Sequence, residues 1–255
     1  MLLAIDIGNT NIVAGCVDGR RILSVSRLKA DALRTQSEYA VLLRQVLELD
    51  GADCSSFDGA IISSVVPELT GVIREAVRRM TGKNALVVGA GVKTGLNIRI
   101  DNPAQLGSDL AVCAVAAAAS YAPPIIIACI DAATTLTVID RSLCLRGGAI
   151  MPGAVMSLEA LSRSASLLPR VGFEAPKACI CSNTVDCMKS GAVFGAASAV
   201  DGMIERMEQE LGERASIVAT GALAETVCRH MKRSAVCDEL LPIKGLALIY
   251  EKNKR

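Results

Sequence analysis

The sequence opens with apolar runs that predict strands separated by turns. Leu2–Ile7 and Ile12–Val17 are apolar runs of strand length, and the pair Asp18-Gly19 separates the second run from Arg21–Leu28. Asp-Gly between two such runs is typical of a β-hairpin. The pattern therefore predicts successive antiparallel pairings at the start of the chain.

Further along, helical and extended patterns alternate. Apolar residues at helical spacing predict a helix over residues 37–49, and later runs of strand length are closed by proline or glycine. The first half continues with a predicted strand over Ala60–Val66, a helix around residues 72–80, a strand over Ala85–Val88 and an Ala/Val-rich helix from about 108 to 121. The second half has predicted strands at Ile125–Ile130, Leu136–Asp140, Leu143–Ile150 and Ser216–Thr220, helices around 157–164, 185–211 and 222–231, and a final segment, Leu246–Tyr250. This order predicts an α/β fold.

The two halves of the chain echo each other. Each begins with an apolar strand that ends in an aspartate, followed by a small polar turn and a second strand. The two turns are Ile5-Asp6-Ile7-Gly8-Asn9-Thr10 and Ile130-Asp131-Ala132-Ala133-Thr134-Thr135. Their identity is slight, so the shared chemistry carries the argument. We expect two lobes, residues 1–114 and 115–255, each with one such turn.

The first turn has the composition of a phosphate-binding site. Backbone amides and hydroxyls of a Gly-Asn-Thr turn after a buried strand converge on one point, which suits an anion. Asp6 would be repelled by phosphate, so it would act through Mg²⁺ or an ordered water. A plain strand turn stabilised by Asn9 is the alternative. The second Asp–Thr turn favours a two-sided phosphate clamp.

Asp109 stands at the start of an otherwise apolar predicted helix. An aspartate there commonly caps the helix, alone or with Ser108. It can also be the general base that takes a proton from a substrate hydroxyl as that oxygen attacks the γ-phosphorus of ATP. The residues alone leave both roles open.

Composition narrows the function classes. A net charge of +1 and an aromatic content of 2% argue against nucleic-acid binding, which uses basic surfaces or stacking platforms. Ten cysteines without a C-x-x-C pair, beside one histidine in a chain of this length, argue against a zinc site or a disulfide framework. Pro123 and Pro124 interrupt the most apolar stretch, so we expect no membrane span. Free thiols and the absence of a basic leader at Met1 predict a cytoplasmic protein.

Several motifs make the chain resemble the type III pantothenate kinases, nearly from end to end. They are Asp6-Ile7-Gly8-Asn9-Thr10-Asn11, Ile62-Ser63-Ser64-Val65-Val66-Pro67, Lys93-Thr94-Gly95-Leu96-Asn97, Asp101-Asn102-Pro103, Gly107-Ser108-Asp109, Gly147–Gly153, Asn183-Thr184 and Ser190-Gly191-Ala192-Val193-Phe194-Gly195. The resemblance implies two ribonuclease H-like lobes of the acetate kinase–hexokinase–actin superfold around a nucleotide cleft. It also implies ATP-dependent phosphorylation of pantothenate to 4′-phosphopantothenate, the first step of coenzyme A biosynthesis.

The resemblance further implies roles for individual residues. The ATP phosphates would lie against Asp6, Ile7, Gly8, Asn9, Thr10, Asn11, Ile12 and Val13, with Thr134 as a further ATP contact. Asp109 would be the catalytic base, Asp6 would hold Mg²⁺ through water, and Asp131 would bind a monovalent cation, K⁺ or NH₄⁺. Pantothenate would be contacted by Gly107, Ser108, Asp109, Leu110, Ile100 and, across a homodimer interface, Thr184.

The sequence also departs from the pattern of this family. Leu110 stands where the family usually has an arginine after the catalytic aspartate. Ile100 stands where it usually has an aromatic residue before Asp-Asn-Pro. Ala132-Ala133 replaces the Phe-Gly that usually follows the second aspartate, and Ala222 replaces a glycine. Arg99, Arg163 and Arg170 are candidates to replace the missing cation. The alternatives to a pantothenate kinase are a non-catalytic or regulatory nucleotide-binding paralogue and a kinase of another small hydroxylated substrate.

Overall fold

The chain forms two compact units in a computed structural model that describes residues 1–254, apart from the side chain at position 104. The first unit contains Met1–Leu96, Asp101–Ala116 and the segment from Leu240 onward, and the second contains Asn97–Ile100 and Ala117–Glu239. This division differs from the predicted halves 1–114 and 115–255. The difference arises because the last helix packs on the first sheet and a short strand near residue 97 pairs in the second.

The described residues contain eleven strands and seven α-helices. The strands are β1 Leu2–Ile7, β2 Asn11–Asp18, β3 Arg21–Lys29, β4 Gly59–Ser64, β5 Ala85–Val87, β6 Asn97–Ile98, β7 Ile125–Ile130, β8 Ala133–Ile139, β9 Cys144–Pro152, β10 Ser216–Thr220 and β11 Val236–Cys237. The helices are α1 Gln36–Leu49, α2 Pro67–Thr81, α3 Ser108–Ser120, α4 Ala154–Ser164, α5 Thr184–Leu211, α6 Ala224–Cys228 and α7 Leu241–Asn253, with 3₁₀ turns at Cys54–Ser56 and Pro103–Gln105. None of the helices among residues 1–254 is both long and apolar enough to cross a membrane.

The first unit is built on a five-stranded sheet with the order β3-β2-β1-β4-β5. β1, β2 and β3 form the antiparallel meander predicted from the Asp-Gly turn. β4 and β5 run parallel to β1, each reached through a helix. The carboxyl ends of β1 and β4 therefore lie side by side at one edge.

Both faces of this sheet are buried, since alternate residues of a strand point to opposite sides. Leu3 and Ile5 of β1 belong to an apolar cluster with Tyr39 of α1 and Ile73 of α2. Leu2 and Ala4 belong to a second cluster with Val112 and Val115 of α3 and Ile243 and Ile249 of α7. A fully buried aliphatic side chain contributes about 1.5–3 kcal/mol. The two clusters hold β1 and β4 rigidly between two helical layers.

Local capping explains where the first helices begin and end. Thr35 and Glu38 form a capping box at the start of α1, with Thr35 N donating to Glu38 Oε2 at 2.8 Å and Glu38 N donating to Thr35 Oγ1 at 3.3 Å. Pro67, which closes β4, is also the first residue of α2, where its missing N–H has no cost.

The second unit repeats the same plan with one extra strand. Its sheet has the order β11-β10-β7-β8-β9-β6. β7, β8 and β9 form an antiparallel meander, β10 and β11 run parallel to β7, and β6 pairs parallel with β9. Ile126 and Ala128 of β7 pack with Val200 and Ile204 of α5 and Val227 of α6. The end of β7, where Asp131 lies, is thus anchored by buried neighbours on one face.

Candidate active site

The first group of candidate residues lies where β1 and β4 end. In the parallel register of these strands, Asp6 is opposite Ser63 and Ile7 is opposite Ser64. Residues that are opposite in adjacent strands share one face of the sheet. Ser63 is fully buried, whereas Asp6 is half-buried. The strand pairing therefore places a carboxyl and a serine hydroxyl next to each other at this edge.

The turn that follows β1 presents polar groups outward. Gly8 N donates to Asn11 O at 2.9 Å, which closes the turn, while Asn9 and Thr10 are exposed. Ile7 and Ile12, on either side, are fully buried in the core. Of the predicted ATP-contacting residues Asp6, Ile7, Gly8, Asn9, Thr10, Asn11, Ile12 and Val13, those two isoleucines can offer a ligand only their backbone.

The side chain of Ser108 connects the start of α3 to the end of β4 through hydrogen bonds. Its hydroxyl donates to Ser64 O at 2.9 Å, accepts from Ser64 N at 3.1 Å and lies 3.1 Å from Ser63 Oγ. Ser108 therefore bridges elements that are distant in sequence. The neighbouring Asp109 is thereby brought to the strand edge that carries Asp6. Sequence reasoning missed this role of Ser63, although the residue stands in one of the matched motifs.

Asp109 is held in the first turn of α3. Its carboxylate lies near its own backbone N–H and that of Leu110, inside the helix that begins at Ser108. A Cβ at Gly107 would overlap the Asp109 Oδ1 atom, so a side chain at this position would displace the carboxylate from its present place. Burial raises the pKa of Asp109, and the two amide hydrogen bonds offset part of that rise. A carboxyl with a raised pKa is suited to accept a proton.

The predicted substrate-contacting residues fall in both units. Gly107, Ser108, Asp109 and Leu110 belong to the first unit, while Ile100 and Thr184 belong to the second. Leu110 is half-buried close to Gly107, whereas Ile100 is half-buried near Gly147 of β9. Thr184 is exposed as the first residue of α5.

Two of the arginines considered as substitutes for the missing cation share a cavity within the second unit. Arg163 and Arg170 line a cavity of about 320 Å³ together with Ser162 and Glu159. Arg99 lies outside this group, and its backbone N–H donates to Leu145 O at 2.9 Å.

The second turn, after β7, encloses its carboxylate. Asp131 N donates to Ala133 O at 3.1 Å, and Ala132 N donates to Asp131 Oδ1 at 3.0 Å. The backbone N–H of Ala222 donates to the same carboxylate. Burial raises the pKa of Asp131, and these amides counteract it. The alanines at positions 132, 133 and 222 therefore keep the backbone contacts of this turn.

Gly221 permits that close approach. It adopts a φ of +101°, and a Cβ there would lie 2.6 Å from Ile130 O. Leu223 N donates to the same carbonyl oxygen at 3.0 Å. The chain after β10 is thus pressed against the end of β7, which carries Asp131.

Hydroxyl groups accompany this second turn. Thr134, predicted to contact ATP, is only 3% exposed. Thr135 and Thr220 are both opposite Cys129 in the sheet register. Their Oγ1 atoms are buried without a hydrogen-bond partner among the described residues. Such buried polar atoms need an explanation, and Thr135 belongs to the second of the two turns predicted from the sequence.

Comparison with known proteins gives the family. A family model described as type III pantothenate kinase matches residues 2–206. The type III pantothenate kinase of Geobacter sulfurreducens is 41% identical over 254 residues, and that of an Exiguobacterium species is 39% identical over 255 residues. Both alignments cover 100% of each chain.

Solved structures give the fold. A Baf family transcriptional activator from Campylobacter jejuni has a TM-score of 0.59 at 18% identity, covering 98% of each chain. Component A of (R)-2-hydroxyglutaryl-CoA dehydratase from Acidaminococcus fermentans has a TM-score of 0.57 at 13% identity, covering 100% of this chain and 99% of its own. A glucokinase from Streptomyces griseus, solved with glucose and AMPPNP, has a TM-score of 0.51 at 12% identity, covering 98% of each chain.

These likenesses confirm the predicted α/β fold of the acetate kinase–hexokinase–actin type. The family is established separately, by the match over most of the chain and by relatives at about 40% identity along its full length. The chain therefore belongs to the type III pantothenate kinase family, as its motifs predicted.

Proposed function

We propose that this enzyme transfers the γ-phosphoryl group of ATP to the hydroxyl of pantothenate, giving 4′-phosphopantothenate and ADP, the first step of coenzyme A synthesis. The observation that carries the proposal is Asp109. Its carboxyl has a raised pKa and is held, through Ser108, at the strand edge that bears Asp6 and the Gly8–Asn11 turn. A base and a phosphate-binding turn on one edge are what transfer to a hydroxyl requires.

Asp109 would act as the base. It accepts the hydroxyl proton while the hydroxyl oxygen forms a bond to the γ-phosphorus and the bond to the β–γ bridging oxygen breaks. The raised pKa improves the match to a weakly acidic hydroxyl. The nearby amides of Asp109 and Leu110 favour the ionised carboxylate that has to accept the proton.

The Gly8–Asn11 turn would hold the transferring phosphates. Exposed Asn9 and Thr10 offer side-chain donors, and the turn adds backbone amides. Asp6 supplies oxygen donors for a water-bound Mg²⁺, which would neutralise charge on the phosphoryl oxygens. Within residues 1–254 no group of three or more His, Cys, Asp or Glu side chains is placed to hold a metal ion. That fits an ion which takes most of its ligands from water and phosphate.

In the second unit, Asp131 would bind a monovalent cation, K⁺ or NH₄⁺, and Thr134 would contact ATP. A half-buried carboxylate and the buried hydroxyls of Thr135 and Thr220 supply the oxygen donors that a hard cation prefers. Asp131 would then hold the cation while the amides of Ala132 and Ala222 fix its carboxylate.

We also propose a cytoplasmic homodimer with Thr184 at the substrate of the partner subunit. Six large apolar side chains between residues 150 and 185 are exposed, among them Leu167 at 93% and Ile180 at 94%. An interface typically buries contiguous apolar surface, and these side chains would supply the apolar area for one. The ten free cysteines are typical of proteins in a reducing compartment.

A product assay tests the proposed activity. Purified protein is incubated with ATP, Mg²⁺, K⁺ and pantothenate, and the phosphorylated product is identified by mass spectrometry. We expect phosphopantothenate and ADP in equal amounts. Bound ATP without product, in a folded protein, would support the non-catalytic alternative. Turnover only with other hydroxylated acceptors would point to another substrate.

A further inference from the structure

Three cysteine residues lie just before and at the start of α5, on the segment that also carries Thr184. Cys187 Sγ donates to Cys181 O at 3.3 Å, and Cys181 Sγ donates to Ala178 O at 3.1 Å. Cys179 precedes Cys181 on the segment before the helix, and its carbonyl oxygen accepts from Ser190 Oγ of α5 at 2.6 Å. All three are free thiols.

These thiols differ from the buried cysteines of the protein. Cys16 and Cys54 lie in the core cluster of the first sheet and act as small apolar side chains. Cys179 and Cys187 are exposed, and Cys181 is half-buried. Packing therefore does not explain the cysteines at the start of α5. A metal site is not indicated, since the described residues contain no group of three or more potential ligands in suitable positions.

We propose that Cys181 and Cys187 are a modification site at which a reversible intrachain disulfide forms. The five residues between them lie in a segment that is already closed by hydrogen bonds. Cys187 N donates to Asn183 O at 2.9 Å, and Asp186 N donates to Asn183 Oδ1 at 2.9 Å as the cap of α5. Because the backbone is ordered before the bond forms, closing this short loop costs little additional conformational entropy.

The exposure of the two thiols indicates which of them reacts first with an oxidant. Burial raises the pKa of the Cys181 thiol, and the neighbouring Cys187 and Asp186 add to the rise, so Cys181 is the weaker first nucleophile. With a peroxide as oxidant, the Cys187 thiolate attacks one oxygen, the O–O bond breaks, and a sulfenic acid and water result. The Cys181 thiolate then attacks that sulfur, the S–O bond breaks, and a second water leaves. Two thiols are oxidised by two electrons and one peroxide is reduced.

The disulfide would bracket Thr184, which lies inside the closed segment. If Thr184 contacts pantothenate, a consequence that rests on the proposed function, oxidation changes the KM for pantothenate and leaves the KM for ATP unchanged. The formation of the disulfide itself does not depend on that function. The two proposals therefore fail separately.

Peptide mapping tests the site directly. The full chain is treated with hydrogen peroxide, free thiols are alkylated, and the digest is analysed by mass spectrometry with and without reductant. We expect one peptide pair joined through Cys181 and Cys187, released by dithiothreitol. Cys181→Ser and Cys187→Ser should abolish it, whereas the matched variant Cys179→Ser should keep it.

Three outcomes would overturn the proposal. One is full alkylation of both cysteines after oxidation of the folded wild type. Another is pairing that involves Cys179 and disappears in Cys179→Ser. The last is a disulfide that joins two chains, which a non-reducing gel detects. An inactive protein that still forms the Cys181–Cys187 bond would contradict the proposed activity only.

Discussion

The two units place a turn at the same point of the same topology, yet the turns differ in what they present. In each unit a meander of three strands is extended by two parallel strands beside the first. In each unit, the chain beyond the neighbouring parallel strand also donates a hydrogen bond to the last residue of the first strand. Val65 N donates to Ile7 O at 3.0 Å in the first unit, and Leu223 N donates to Ile130 O at 3.0 Å in the second.

Within this shared topology the first turn is open, with exposed side chains, whereas the second turn is closed, because another backbone segment covers it. The turn at Gly8–Asn11 has exposed side chains at Asn9 and Thr10, and nothing in its backbone conformation is restricted to glycine. The turn at Asp131 is narrower, and the positive φ of Gly221 lets a third segment of backbone cover it. Open donors suit a large anion such as a phosphate chain, whereas a closed carboxylate suits a small cation. The same strand arrangement thus supports two kinds of ligand.

The largest expected effect tests whether the chemistry belongs to the first unit. Asp109→Asn removes the proton acceptor, and we expect kcat to fall by about 10²–10⁴-fold. Because burial raises the pKa of Asp109, its charged form is disfavoured in the folded protein, so the variant should unfold at the same urea concentration as the wild type or a higher one. Coupled ADP release and urea denaturation measure the two quantities.

Asp18→Asn, at an exposed aspartate of the β2–β3 turn, is the matched control and should leave both unchanged. Turnover of Asp109→Asn within a few-fold of the wild type would remove Asp109 as the base.

A pair of glycine substitutions tests the open and closed turns against each other. Gly221→Ala forces a side chain into a φ of +101° and against Ile130 O, so we expect at least about 2 kcal/mol of lost stability. At Gly8 the added Cβ would meet only Asn11 O, at 3.2 Å, so Gly8→Ala should cost less stability and mainly weaken ATP binding. Urea denaturation and the KM for ATP give both readouts. Equal losses of stability would contradict the distinction between the turns.

The pH dependence separates the two carboxyls, since burial raises the pKa of both Asp109 and Asp131. Asp109 must be deprotonated to accept a proton, so kcat should fall about tenfold per pH unit as the pH drops below its raised pKa. This acid limb should persist in Asp131→Asn, with less activation by K⁺. If the fall in kcat at low pH disappears in Asp131→Asn while activity remains, the titrating carboxyl is Asp131 instead.

Much of the fold was predictable, because the spacing of apolar residues and the positions of turn residues indicate the same elements. The predicted strands Ile125–Ile130 and Ser216–Thr220 match β7 and β10 at both ends, and the helix predicted over 37–49 is α1. The end of the chain was harder to predict. Only Leu246–Tyr250 was recognised, whereas α7 begins at Leu241, and its apolar residues pack on the first sheet, distant in sequence. β11, with two residues, is too short to give a pattern.

The candidate site was predictable where motifs carry the chemistry, as at Asp6 and Asp109. The contacts that position those residues were not, because they join distant parts of the chain. Ser108 contacts Ser64, 44 residues away, and Ala222, just after β10, contacts Asp131, just after the adjacent strand β7. Register and hydrogen bonding between remote segments decide such contacts, and no local pattern encodes them.

The smallest expected effect concerns the cationic side chain that would bind the substrate, for which each unit offers one candidate position. The family position is Leu110 in the first unit, and the cavity lined by Arg163 and Arg170 lies in the second. If that cavity supplies the charge, Arg163→Ala or Arg170→Ala should raise the KM for pantothenate at least about tenfold, because a hydrogen bond to a charged group is worth about 1.5–3 kcal/mol. Steady-state kinetics with pantothenate varied at saturating ATP measure this, and the KM for ATP should stay constant. Leu110→Arg should lower the KM for pantothenate in the same variants, since it restores a guanidinium beside Asp109. If Leu110→Arg tightens binding in the wild type while both arginine variants behave as wild type, the cavity has no part in substrate binding, and the second unit contributes no anion site.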